Sequence, residues 1–263
     1  DCSIYPIPTK LSKLTFSSKA SAPNTVDWSN IPVLPSFWQK WLSKASQIKE
    51  LSFYAIKLDS IKKELSFHLE KLETLTLTLT KISSSFLLTL LAGAPQLKSI
   101  TFDHCYIYPE SLGLTILPSE WTLENLTSLC IIEGSCYFEP FIASEITRRA
   151  PKLESLSYLH GKEKKTIEPM SFSLFASINL SHLHIKPKNA VNVDIQLQNL
   201  AQHPPRLKTF KLTLGCQFNI TSLKLLLSED SLESFDLELD EKDVKPFLQV
   251  METMDKIFSP KLQ

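Results

Sequence analysis

The feature that most constrains this chain is a spaced apolar pattern, Φ-x-x-Φ-x-Φ with Φ apolar, which recurs along its length. Its instances are Leu11/Leu14/Phe16, Ile48/Leu51/Phe53, Leu72/Leu75/Leu77, Leu97/Ile100/Phe102 and Leu126/Leu129/Ile131. They continue with Leu153/Leu156/Tyr158, Leu180/Leu183/Ile185, Leu207/Phe210/Leu212 and Leu232/Phe235/Leu237. Successive starts lie 37, 24, 25, 29, 27, 27, 27 and 25 residues apart. Side chains alternate sides along a strand, so the second and third Φ point one way and the residues around them the other. One such strand cannot bury its apolar side alone. Stacked turns can, each touching only its neighbours, and a period of this length marks a solenoid.

The segments between strands fit the same plan. Residues 85–94, 140–150, 194–202 and 221–227 carry apolar residues at helical spacing. Three of them run into nearly the same word: Ala94-Pro95-Gln96-Leu97, Ala150-Pro151-Lys152-Leu153 and Pro204-Pro205-Arg206-Leu207. Proline there stops a helix and biases the preceding residue toward extended geometry. An ordinary α/β protein would want Gly-rich strand-to-helix turns, and the chain has five glycines. The first interval is long because residues 17–47 hold an insertion with Trp28, Trp38 and Trp41. Its second half, 36–45, reads as a helix capped by Ser36. The tryptophans are expected to plug the insertion onto the solenoid, ahead of the alternative of an interaction hot spot. Residues 240–258 read as a closing helix with Val244, Phe247, Leu248, Met251, Met254 and Phe258 on one face. The whole chain, 1–263, is expected to be one domain.

The most regular turn is Leu97-x-x-Ile100-x-Phe102-x-x-Cys105-x-Ile107. On this motif and its repetition, residues 11 to 240 resemble leucine-rich repeats of the ribonuclease-inhibitor-like kind, in particular those of F-box proteins. The resemblance implies an α/β solenoid of about nine repeats, a curved horseshoe with parallel strands on its concave face and helices on its convex face. It also implies a ladder of Asn or Cys side chains at the position of Cys105. Other turns hold Lys19, Ile56, Thr80, Gly134, Gly161, Lys188, Gly215 and Asp240 there. The ladder is therefore expected to be mostly absent.

Composition and motifs narrow the function classes. Lys+Arg and Asp+Glu both total 28, so no basic field is offered to nucleic acid or to a membrane surface. Apolar runs such as 86–94 are too short to span a bilayer. Five scattered cysteines with no CxxC pair read as reduced thiols of a cytoplasmic protein. The sequons at Asn125, Asn179 and Asn219 are treated as chance matches. The chain opens at Asp1 with no cap ahead of Leu11, so a fragment of a longer protein is expected. No HExxH, GxSxG, P-loop or GxGxxG occurs, and neither catalysis nor a cofactor is expected. His182 and His184 share one side of a strand, but the neighbouring strands offer no good third or fourth ligand, so no metal is expected. His104 and Cys105 are adjacent and would point apart, which disfavours a catalytic pair. The acidic stretch 229–243 lacks the glycine and spacing of a calcium loop.

The outward residues of the strands are then the candidate binding surface. Most are Ser or Thr, which suit an exposed strand on structural grounds alone. Three features exceed that background. Cys130, Ile132 and Leu159 are expected to form an apolar spot. His182, His184, Lys186 and Lys211 make a basic patch beside it, and Asp236 and Glu238 turn the far end acidic. The expected function is a monomeric, non-enzymatic module that binds a protein or peptide on its concave face. The resemblance implies the substrate-recognition part of an F-box-type ubiquitin ligase adaptor. The other reading is a repeat effector of a bacterium or parasite that binds host proteins.

Overall fold

Every Φ-x-Φ core of the sequence lies in a β-strand of the computed structural model. The structure describes residues 10–18, 32–34, 42–58, 66–108, 121–133, 140–160, 179–186, 206–214, 231–239 and 244. Contacts group the chain into two compact units, residues 1–152 and 153–263. Both are parallel-strand solenoids with few helices among the described residues.

In the first unit five strands pair in parallel: β1 (Lys13–Ser17), β2 (Glu50–Tyr54), β4 (Thr74–Thr78), β6 (Ser99–Asp103) and β8 (Ser128–Glu133). The register never slips. Leu14, Leu51, Leu75, Ile100 and Leu129 form one inward row, and Phe16, Phe53, Leu77, Phe102 and Ile131 the next. From β2 to β8 these side chains are essentially fully buried, and Phe16 stacks on Phe53 with ring centroids 5.3 Å apart. A one-residue slip would turn every one of them to solvent, which is why the alternation fixes the pairing so firmly. The main chain repeats as strictly. Ser12, Lys49, Glu73 and Lys98 each offer one carbonyl that accepts two successive amides of the next turn, at 2.7–3.1 Å.

A second, smaller sheet lies beyond what the repeat pattern predicts. β3 (Lys57–Leu58), β5 (Lys81–Ser83) and β7 (Tyr106–Tyr108) pair in parallel, one after each corner. Pro32 to Leu34 of the insertion joins its edge: Lys57 N donates to Pro32 O at 2.9 Å and Leu34 N to Lys57 O at 2.8 Å. Leu34 is buried there. Between the two sheets the chain turns through Ala55, Leu79 and His104, whose φ values of 51°, 49° and 53° are left-handed. Each such residue costs about 1–2 kcal/mol without glycine. Corner amides offset this cost by bonding the next turn, Ala55 N to Thr78 O, Leu79 N to Asp103 O and His104 N to Ile132 O, at 2.8–3.0 Å.

In two of the three described turns the residue after the corner makes a ladder bond, one of them at a position where neither Asn nor Cys stands. Thr80 Oγ1 donates to Phe53 O at 3.2 Å and to Thr78 O at 3.0 Å. Cys105 Sγ donates to Leu77 O at 3.1 Å, so two consecutive turns hold the preceding one through a hydroxyl and a thiol. At the third described corner, Ile56 is a buried apolar plug. The other expected ladder positions lie outside the described residues.

Two of the stretches with apolar residues at helical spacing are helices in the structure. α1 (Ser84–Ala92) and α2 (Pro140–Arg148) match the stretches read as helical at 85–94 and 140–150. Ser83 caps α1, its Oγ accepting Phe86 N at 3.2 Å. Residues 66–69, by contrast, are extended: Phe67 and Leu69 are buried while Ser66 and His68 face solvent, a period of two. Of the helix expected at 36–45 only Leu42 is helical among the described residues, followed by turns. The first proline word closes a tight turn, with Leu97 N donating to Ala94 O at 3.2 Å around exposed Pro95 and Gln96. Pro95 thus stands at the second turn position, where its fixed φ fits. The segments 194–202 and 221–227, the tryptophans of the insertion and, apart from Val244, the closing helix 240–258 lie outside the described residues.

In the second unit β9 (Ser155–His160), β10 (His182–Lys186), β11 (Thr209–Leu214) and β12 (Ser234–Leu239) pair in parallel. Leu156, Leu183 and Phe210 are buried in one row, Tyr158, Ile185 and Leu212 in the next. On β12 the corresponding Phe235 and Leu237 are only half-buried. The entry carbonyls Glu154, Ser181 and Lys208 repeat the paired acceptance seen in the first unit.

Candidate binding faces

The alternation that buries one side of each strand sets the other side in rows. In the first unit the middle outward row reads Thr15, Ser52, Thr76, Thr101, Cys130, and the next Ser17, Tyr54, Thr78, Asp103, Ile132. Cys130 and Ile132 are half-buried on β8, so the two apolar groups expected there do share one face. Burial pushes the Cys130 thiol up, and the charge of Asp103 pushes it further the same way. It is therefore a protonated, weakly nucleophilic side chain. Asp103, in register with Ile132, also contacts His104 Nδ1 at 2.6 Å.

In the second unit Leu159 stands in register with Lys186, and Ser157, His184, Lys211 and Asp236 form the row beside them. Leu159, His182, His184, Lys186 and Lys211 thus lie on one face of β9, β10 and β11. Lys211 Nζ is 2.7 Å from Asp236 Oδ2 and 3.9 Å from Glu238 Oε2. The hydrogen bond to Asp236 raises the Lys211 pKa, so its charge is kept and compensated. His182 Nδ1 meets Thr209 Oγ1 at 2.7 Å. Thr213 Oγ1 donates to Glu238 at 3.2 Å and lies 3.4 Å from His184 Nε2, which makes that nitrogen the N–H partner. Burial first, then the charge of Lys211, hold the His184 pKa below its ordinary value. His184 is neutral at neutral pH. The expected basic patch therefore resolves into one paired lysine, two hydrogen-bonded imidazoles and Lys186.

Sequence reasoning missed two charged clusters of the first unit. Lys49, Glu70, Lys71, Glu73, Gln96 and Lys98 line a shallow groove of about 180 Å³. Glu73 joins two turns there, 2.8 Å from Lys98 and 3.5 Å from Lys49, and the hydrogen bond from Lys98 lowers its pKa. The signal was available: all three occupy the residue just before a strand. The other cluster surrounds Glu145 on α2. It accepts from Arg148 Nη2 and Arg149 Nε, both at 2.6 Å, and the Arg148 bond holds its carboxyl below the usual range against the opposing effect of burial. The Arg149 guanidinium lies over the Trp121 ring, 4.4 Å from its centroid, and its Nη1 donates to Trp121 O at 2.6 Å. These contacts tie α2 to the segment before β8.

Among the described residues no three His, Cys, Asp or Glu side chains gather to hold a metal ion, and no helix is long and apolar enough to cross a membrane. What the geometry defines is a parallel-strand solenoid with rows of outward hydroxyl, apolar and charged side chains. No family model matches the sequence, and a search of curated proteins found no match.

Proposed function

We propose that this chain is a non-enzymatic leucine-rich-repeat recognition module of about nine turns, with helices on its convex face, that binds a protein or peptide on its strand faces. The observation that carries this reading is the unbroken register of the outward rows. It gathers half-buried apolar groups, Cys130 and Ile132 on one unit and Leu159 on the other, within fields of short hydroxyls. Such groups are energetically expensive to leave wet and gain most when a partner covers them. The resemblance of the Leu97–Ile107 turn to cysteine-containing repeats supports the finer assignment, the substrate-recognition part of an F-box-type ubiquitin ligase adaptor. Cys105 and Cys130 are thiols rather than disulfides, which supports a cytoplasmic setting.

Capture from lysate on the tagged chain, quantified by mass spectrometry, tests this. Ile132→Asp and Leu159→Asp, each confirmed folded by circular dichroism, are expected to lose the partner that the parent chain retains. Unchanged recovery by both variants would sink the reading. With the full-length protein, co-recovery of a Skp-type adaptor supports the F-box role, and its absence removes that role while leaving the module.

A further inference from the structure

The charges on the second unit's face are unequally engaged. Lys211 is held by Asp236 and Glu238, while His182 and Thr213 are bonded to Thr209 and Glu238. Lys186 is half-buried and makes no ion pair or hydrogen bond among the described residues. It stands in register with Leu159 and two residues along from His184 on the same side of β10. Resting on the binding reading above, we propose that this face takes a segment of acidic and aliphatic residues, one carboxylate meeting Lys186 and an aliphatic neighbour covering Leu159, with His184 taking up a proton as it docks.

Charge complementarity selects this occupant. An incoming carboxylate finds a cation that is already half-buried, so less of its side chain remains to be ordered on pairing. A basic segment finds Asp236 and Glu238 already facing Lys211. The groups around His184 are His182 and Lys186 on its own strand, Lys211 on β11, and Asp236 and Glu238 on β12. From β9 it meets only Ser155, Ser157 and Leu159 on the outward side. Burial and Lys211 keep the imidazole neutral, and an added carboxylate shifts that balance toward imidazolium. Binding is then linked to proton uptake, and affinity rises as pH falls.

Fluorescence anisotropy on the full chain tests the proposal with three labelled decapeptides of alternating Glu–Leu, Lys–Leu and Ser–Leu. Glu–Leu is expected to bind about tenfold tighter than either of the others, and Lys186→Glu to abolish that preference. Lys152→Glu, an exposed turn site on no strand, is expected to change it less than about twofold. Between about pH 7.5 and pH 5.5 the Glu–Leu affinity should rise by about threefold, and His184→Gln should remove the rise. Equal binding of the three peptides, or an unchanged preference in Lys186→Glu, overturns the acidic occupant. A flat pH profile in the parent chain overturns the proton linkage. If Leu159→Asp loses the captured partner while the peptides bind alike, the binding face stands and this inference fails.

Discussion

At Thr80 a fully buried hydroxyl holds two main-chain carbonyls, Phe53 O of the preceding turn and Thr78 O of its own. The isosteric substitution Thr80→Val keeps the volume and leaves both carbonyls without that donor. We expect a loss of about 1–2 kcal/mol in urea denaturation, against a smaller effect of Thr80→Ser, which keeps the hydroxyl. Stability equal to the parent in Thr80→Val would refute the ladder role. The sequence set Ile56, Thr80 and Cys105 at one place in the repeat, but the hydroxyl's role was not legible because Thr80 is neither Asn nor Cys. That place is one residue past a left-handed corner, and a corner is not visible where glycine does not mark it. His184 carries a prediction of the opposite kind, in solution conditions. Its folded pKa is depressed, so between that value and the ordinary one of about 6.5 the unfolded chain binds more protons. Stability from this group is complete above about pH 6.5 and is lost as pH falls through the folded value. Thermal melts of His184→Gln should therefore decline less between about pH 7 and pH 5 than those of the parent, and parallel curves would contradict the burial argument.

At the scale of elements, the nine strands were readable because a period of two needs only one apolar side to be specified. The small sheet was not, although Ile107 stood in the most regular motif and Leu58 and Ile82 occupy the same place in register. Strands of two or three residues carry no period of their own. The extended run 66–69 was hidden for a related reason: its burial comes from contact with the end of α1, where Leu69 N donates to Gly93 O at 2.9 Å. That contact makes Gly93 a test of the packing. Its φ of −82° suits any residue, so the demand is for space alone. A Cβ there would sit 2.2 Å from Phe67 O and 2.8 Å from Phe67 C, both main-chain atoms that cannot rotate away. Gly93→Ala should cost about 2–3 kcal/mol despite its better helix propensity, measured by chemical denaturation. A neutral or stabilising result would mean that residues 66–69 do not approach α1 this closely. The candidate faces were legible to the same degree as the strands that carry them. Which outward charges find a partner among the described residues was not, because Lys211 and Lys186 read alike until Asp236 is placed opposite one of them.

At the scale of the molecule, parallel turns touch mainly their nearest neighbours, so stability should be local before it is global. Leu183 is a clean probe: it is 2 % exposed on β10 and in register with Leu156 on β9 and Phe210 on β11. Leu183→Ala removes three heavy atoms from that row and should cost about 2–4 kcal/mol. In a globule with one shared core the loss would spread evenly. In a solenoid the amides of β9, β10 and β11 should lose hydrogen-exchange protection first, those of β12 less, and the rows built on Leu51, Leu75 and Ile100 in the first unit least. Peptide-resolved hydrogen exchange by mass spectrometry reads this gradient directly. A uniform loss across both units would show one cooperative core and remove the nearest-neighbour account. A graded loss would also explain how the faces tolerate the half-buried groups they present, since each turn is held by its own inward row, whatever the outward row is asked to bind.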